Sequence, residues 1–423
     1  MSEKLNQFIE RFFNIFRGFK NRNYSLYFFG QGTSLIGTWI QRTALSWLIY
    51  RITDSVFWLG LIGFVGHIPS LVITPFAGVI ADKYSRHKIL KVSQTCSMIQ
   101  ALSLSALVFY SDVQIWQILL LSVFLGVIEA FESPVRHSFI FDMVDKKEEI
   151  GNAIALNSAM FNGARLIGPG IAGFMVAQFG EAYCFLINGL SYIAVLISLF
   201  NMRIHASIQH ISKGHFIQNF KEGFSYVIQF QPIRYLLINV SIFTLLGSSY
   251  TVLLPYYARE VFKGDAKTLG YLMSGIGAGA LCGAVYLASR KHLKGLGSII
   301  TNMGHIAAIC LIIVSFSKIF YLSLFLVFVA GCGMMMQMAG SNTIIQNIVD
   351  ADKRGRVMGI YSMSFLSFMP IGSLLVGTIS KSIGVEKTLF LSGSLCFLGS
   401  FILHFKLPLI REKIREKFRN QAQ

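Results

Sequence analysis

Residues 129–173 read EAFESPVRHSFIFDMVDKKEEIGNAIALNSAMFNGARLIGPGIAG. A short charged loop in this stretch joins two apolar runs, each long enough to cross a bilayer at about 1.5 Å per residue. Inside those runs stand Glu129, Glu132, Arg136 and Arg165. Lipid cannot solvate ionised side chains, so charge at that depth marks a pathway for ions or cargo. The assignment requires the surrounding chain to be membrane-embedded.

Composition meets that requirement. Of 423 residues, 54% are hydrophobic and only 13% are charged, against about a quarter charged in a soluble chain. The 38 Gly and 37 Phe agree, since membrane helices tolerate Gly and pack closely through it. A net charge of +17 invites a nucleic-acid partner, but the basic residues lie in loops and tails rather than in one binding patch. Cys96, Cys184, Cys282, Cys310, Cys332 and Cys396 are scattered singly through apolar segments. That distribution fits buried hydrophobes, not disulfides or zinc ligands. No apolar core with a small-residue cleavage site precedes Asn23, so no signal-peptide layout is present.

The pattern predicts an all-α membrane protein of twelve transmembrane helices in two six-helix, pseudo-symmetric halves. Residues 1–23 form a basic, amphipathic N-terminus, with Leu5, Phe8, Ile9, Phe12, Phe16 and Phe19 at helical spacing. The N-terminal half covers 24–203, with apolar segments near 24–50, 56–81, 89–110, 115–142, 151–178 and 182–202. A linker, 204–231, follows. The C-terminal half, 232–408, has segments near 232–257, 267–289, 296–316, 319–348, 356–380 and 387–407, before the basic tail 409–423. Putting the N-terminus inside gives cytoplasmic loops and tails roughly 26 Lys and Arg, against about 7 outside. Both termini are therefore expected to be cytoplasmic. His205, His210 and His215 in the linker lack tight ligand spacing and read as solvated, and FIQNFKEGFSYVIQF after them suits a second interfacial helix. The two halves echo each other: GNAIALNS then IGPGIAG in the first, NIVDADKRGRVMGIYS then PIGSLLVG in the second. Repeated halves around a midplane site are a transporter architecture.

Residues 78–90, GVIADKYSRHKIL, carry an inner gate. Gly78 permits close helix approach, and Asp82 can accept from free amides at the start of a neighbouring helix. Arg86 and Lys88 are placed to pair with carboxylates such as Asp142; such pairs hold one side closed and break when it opens. The 78–90 loop has its counterpart at Arg290–Lys294, and Arg356, also a gate candidate, follows the second-half counterpart of the loop after Asp142.

Gly78, Asp82, Arg86 and Lys88 resemble the loop signature of the major facilitator superfamily, with Tyr84–Ser85 where that pattern has a basic residue and Gly. ARLIGPGIAG is similar to the superfamily's antiporter signature: Gly168, Pro169 and Gly173 match, and Ala164 and Ala172 replace glycines. The runs ESPVRHSFIFDMV, GNAIALNSAMFNGARLIGP, CFLINGLSYIAVL and RGRVMGIYSMSF resemble the branch holding the enterobactin exporter and macrolide-efflux pumps. The resemblance implies export from the cell inner membrane by alternating access, and implies a helix-packing role for Gly168, Pro169 and Gly173.

Within the first half, Glu129, Glu132 and Arg136 share a helix face. Gln31, Thr38 and Arg42 line the first helix, and Ser158, Asn162 and Arg165 line the fifth. Glu129 and Glu132 are candidates for proton coupling, since lipid and neighbouring Arg pull a carboxylate in opposite directions. A permanent Glu132–Arg136 or Glu132–Arg165 pair that only fixes packing is the alternative. Gln31, Arg42, Arg136, Asn162 and Arg165 are substrate candidates, joined from the second half by Tyr250, Asn342 and Tyr361. Arg can pair with carboxylates or catecholates while aromatic rings stack on the cargo. Met334, Met335, Met336 and Met338 do not share one helix face and read as packing, not as a metal site. No phosphate-binding G-x-x-x-x-G-K-[ST] loop occurs, so drive by ATP is not expected.

The expected protein is a non-enzymatic, proton-coupled exporter of a siderophore-like anion, without cofactor or metal. It is expected to be monomeric, contacting the bilayer and no nucleic acid, with a periplasmic or outer-membrane export partner as an option. A multidrug or macrolide pump is the alternative cargo class; a channel or membrane sensor is the alternative from another class.

Overall fold

The structure is a computed structural model that describes residues 17–110, 112–144, 146–204, 216–290 and 295–422. Side chains of residues 75–83, 147, 216–220 and 417–422 lie outside the described set. The predicted N-terminal amphipathic helix through Phe16 and the three linker histidines fall outside the described residues.

Twelve long helices carry the described chain. They are α1 (Arg22–Thr53), α2 (Val56–Lys83), α3 (Arg86–Tyr110), α4 (Ile115–Met143), α5 (Lys147–Phe179) and α6 (Glu181–Asn201). After the shorter linker helix α7 (Phe216–Gln229) come α8 (Gln231–Val261), α9 (Ala266–Ser289), α10 (Leu296–Phe316), α11 (Phe320–Ile348), α12 (Arg354–Ile383) and α13 (Val385–Ala422). Ten of them are both long and apolar enough to cross a membrane. The other two, α1 and α5, are longer than most, at 32 and 33 residues, but carry polar side chains such as Gln31, Arg42, Asn162 and Arg165. α13 runs on through Pro408 to Ala422, carrying helix into the basic tail.

Local chemistry sets the breaks. Gly180, Gly295 and Gly384 end or start helices at positive φ, a conformation that costs glycine little. Asp265 caps α9 by accepting from the amides of Lys267 and Thr268. α8 is irregular: a π-turn at Phe243–Gly247 leads to a 3-10 stretch at Ser248–Leu253, and a second π-turn spans Tyr257–Val261. Pro255 lies in the middle of this run and withholds an amide, so the ladder must re-register around it.

The chain packs as two compact units, one of residues 1–45 and 68–211, the other of 46–67 and 212–423. The tip of the α1–α2 hairpin thus belongs with the second unit. A core of Tyr24, Tyr27, Val135, Phe139, Met143 and Leu156 lies in the first unit. The second is built around Ile233, Leu237, Ile300, Ile345, Val357 and Leu403. Gly168 packs α5 onto α1: a Cβ there would collide with the Trp39 side chain and approach the Ile36 carbonyl oxygen at 3.2 Å. Pro169 and Gly173 beside it are buried.

Candidate functional site

In the first unit the charged residues of α1 and α4 form two ion pairs. The Arg42 Nη2 donates to Glu129 Oε1 at 2.7 Å, and the Arg136 Nη1 donates to Glu132 Oε1 at 3.3 Å. The two pairs differ in access: the side chains of Arg42 and Glu129 are 43% and 31% exposed, those of Arg136 and Glu132 only 18% and 10%. Glu129, one of the two proton-coupling candidates, is engaged by Arg42 of α1, 87 residues away in the chain. Gln94 of α3 also hydrogen-bonds Glu132.

Aromatic rings surround the guanidinium groups. Arg136 lies 4.8 Å from the Phe161 ring centroid; Arg42 and Arg165 lie 5.6 and 5.8 Å from that of Trp39. Rings in this position hold a cation without neutralising it. The buried Arg136 Nε and the Tyr27 hydroxyl have no hydrogen-bond partner among the described residues. Gln31 is buried. Asn162 turns back to donate to the Ser158 carbonyl at 2.8 Å.

Behind the ion pairs runs a buried amide network that the sequence reading did not single out. Asn188 of α6 donates to Gln41 of α1 at 2.7 Å, and Gln41 donates to Gln100 of α3 at 3.0 Å. Tyr192 hydrogen-bonds Thr38 and Asn188. Polar side chains at the centre of apolar segments were the available signal, since lipid gives them no partner. The network fixes α1, from which Arg42 projects.

At the end of α3, Arg86 donates to both oxygens of Asp142, at 2.9 and 3.1 Å. Lys88 is exposed. The packing around Gly78 and the side chain of Asp82 lie outside the described set. In the second unit Arg356 pairs with Glu222 of α7 at 2.5 Å, and Tyr226 of α7 donates to Asp350 at 2.9 Å. Lys353 sits 4.8 Å above the Tyr226 ring. The linker helix is thus fastened to the α11–α12 loop and the first turn of α12, a contact its amphipathic pattern did not specify.

The remaining second-unit candidates make separate contacts. Tyr250 is buried, Tyr361 donates to the Met338 carbonyl at 3.0 Å, and Asn342 accepts from Gln346 at 3.0 Å. Buried Asn239 and Gln337 show both amide atoms without a partner among the described residues. Met334 and Met336 are core residues. No cluster of three His, Cys, Asp or Glu suited to a metal occurs among the described residues.

The chain is 26% identical over 397 residues to the staphyloferrin A transporter of Staphylococcus aureus, covering 92% of this chain and 98% of the relative. It is 21% identical over 404 residues to macrolide efflux protein A of Streptococcus pyogenes, covering 93% and 98%. Among solved structures, a bacterial homologue of the lysosomal transporter Spinster superposes with a TM-score of 0.69 at 12% identity, over 93% of this chain and 98% of the other. A bacterial homologue of the iron transporter ferroportin gives 0.68 at 14%, over 90% and 98%. These structures share the fold of major facilitator transporters. Residues 16–422 match the transmembrane secretion effector family model of that superfamily, and the chain belongs to this family of membrane efflux transporters.

Proposed function

We propose that this transporter exports a siderophore-like organic anion across the bacterial inner membrane in exchange for protons. The observation that carries the proposal is the pairing of Arg42 with Glu129 beside the pairing of Arg136 with Glu132. With Glu129 ionised, Arg42 pairs with a cargo carboxylate while Glu129 accepts a hydrogen bond from a cargo hydroxyl. A proton taken up by Glu129 from outside removes that acceptor and the cargo leaves; once access returns inside, Arg42 draws the carboxylate back and the proton is released there, so proton and cargo occupy the site in turn. The more exposed pair is the exchanging one; the more buried pair, one turn apart within α4, stays closed. The staphyloferrin A transporter among the relatives supports an anionic chelator as cargo. Orientation with both termini cytoplasmic follows from the distribution of basic residues. The protein works as a monomer and needs no cofactor.

Reconstituted vesicles test this reading. Saturable uptake of an α-hydroxycarboxylate siderophore against its gradient, driven by a pH step, is expected. Glu129→Gln should abolish concentration of the cargo while retaining passive exchange. Concentrative uptake in Glu129→Gln, or flux that does not saturate, would overturn the coupling.

The relatives that expel macrolides and the Trp39 and Phe161 rings favour a second reading, an apolar drug as cargo. On that reading Arg42→Gln leaves drug resistance intact.

A further inference from the structure

A lateral groove of the first unit points to a ligand outside the charged site. α3 contributes Lys88, Val92 and Cys96, spaced four residues apart on one face. α4 contributes Phe124, Val127 and Phe131 to the other wall. The space between them is about 400 Å³, within the range of ligand pockets, roughly 300–1,000 Å³. None of the four charged residues of the proposed exchange site lines it. Val92 is 63% and Phe124 39% exposed, so the groove opens sideways, where a bilayer supplies acyl chains. From Lys88 to Cys96 it runs about 12 Å at 1.5 Å per residue, most of the roughly 15 Å hydrocarbon depth of one leaflet.

Charge selects the occupant. Four basic side chains cluster at this end of α3, and three are already engaged. Arg86 is bound to Asp142, His87 meets the Leu199 carbonyl at 2.6 Å, and Lys91 lies 4.2 Å from the Phe200 ring centroid. Lys88 is exposed and has no carboxylate partner among the described residues. Lys88 lines an apolar slot, and its long stem can carry the ammonium to the headgroup level. A phosphate above one buried acyl chain satisfies both ends, since long basic side chains reach along apolar surface to the headgroup level. An uncharged lipid satisfies only the slot.

We infer that the α3–α4 groove, lined by Lys88, binds one anionic phospholipid. The lipid buttresses α3 against α4, next to the Arg86–Asp142 pair.

Native mass spectrometry of the full-length protein tests this with phosphatidylglycerol and phosphatidylcholine of identical chains. Wild type should retain one phosphatidylglycerol through delipidation, at least about five-fold more than phosphatidylcholine, the discrimination expected of one basic residue at a membrane surface. Lys88→Gln should lose that preference and Lys88→Arg restore it. Val92→Trp, which fills the groove and keeps the charge, should lose the bound lipid. Equal retention of both lipids by wild type would overturn the inference. So would phosphatidylglycerol retention at the wild-type level in Lys88→Gln or in Val92→Trp, each eluting as wild type on size exclusion.

Discussion

Tyr27 buries a hydroxyl that meets no partner among the described residues, in a core where its ring lies 6.3 Å from that of Phe139. A buried polar group left alone costs about 1–3 kcal/mol, so its retention needs a partner present during the transport cycle. The orphaned Nε of Arg136 makes a cargo oxygen or a water the natural candidate. Tyr27→Phe should therefore leave the melting temperature in detergent unchanged or slightly raised, while weakening an anionic cargo about five- to ten-fold. A drop in stability without loss of affinity would make the hydroxyl structural. Gln41 behaves oppositely. Gln41→Leu strands Asn188 and Gln100, which it bridges. With roughly 0.6 kcal/mol per interhelical bond in membranes and at most about 1.7, a loss of about 1–2 kcal/mol is expected in thermal unfolding, with cargo affinity preserved. At this scale the sequence was half legible. Glu132 and Arg136 are one helical turn apart, so their pairing could be read from spacing. The Arg42–Glu129 pair joins two helices, and nothing in either helix alone names its partner.

Helices were the most legible elements, because runs of twenty or so apolar residues leave few alternatives in lipid. Each predicted apolar segment overlies one long helix. The linker helix was legible only as a helix. Its amphipathic pattern says that one face is apolar, but not what covers that face. The structure places Glu222 against Arg356 and Tyr226 against Asp350 and Lys353. The two contacts should differ in weight. Arg356 and Glu222 are 34% and 44% exposed, and an ion pair in that setting is worth at most about 1 kcal/mol. Tyr226 supplies both a hydrogen bond and a ring beneath an ammonium. Hydrogen–deuterium exchange across α7 should rise by less than about five-fold in Glu222→Gln and distinctly more in Tyr226→Ala. The reverse order would show that charge, not the tyrosine, docks the linker.

At the scale of the whole chain, the tip of the α1–α2 hairpin has no sequence signal for its placement, yet it packs within the second unit. Two kinds of contact fasten it there. One is polar: Asp54, at φ 48, accepts from Arg259 at 2.6 Å, and that guanidinium lies 5.7 Å from the Tyr50 ring centroid. The other is backbone packing: Gly60 lies against α12, its Cα 3.1 Å from where a Cβ on Gly377 would stand, and a Cβ on Gly60 would collide with the Ser373 carbonyl oxygen. Magnitudes decide between them. Asp54 and Arg259 are 68% and 37% exposed, so their pair contributes at most about 1 kcal/mol. A side chain at Gly60 must force two helix backbones apart, and overpacking of this kind costs about 1–3 kcal/mol or more. Asp54→Asn should therefore change the transport rate in vesicles by less than about five-fold. Gly60→Leu should reduce it more than about ten-fold, with the protein still inserted and eluting as a single species. If Asp54→Asn proved the more damaging, the hairpin tip would be held by charge, and its attachment would weaken steeply with salt; if packing holds it, transport stays insensitive to ionic strength.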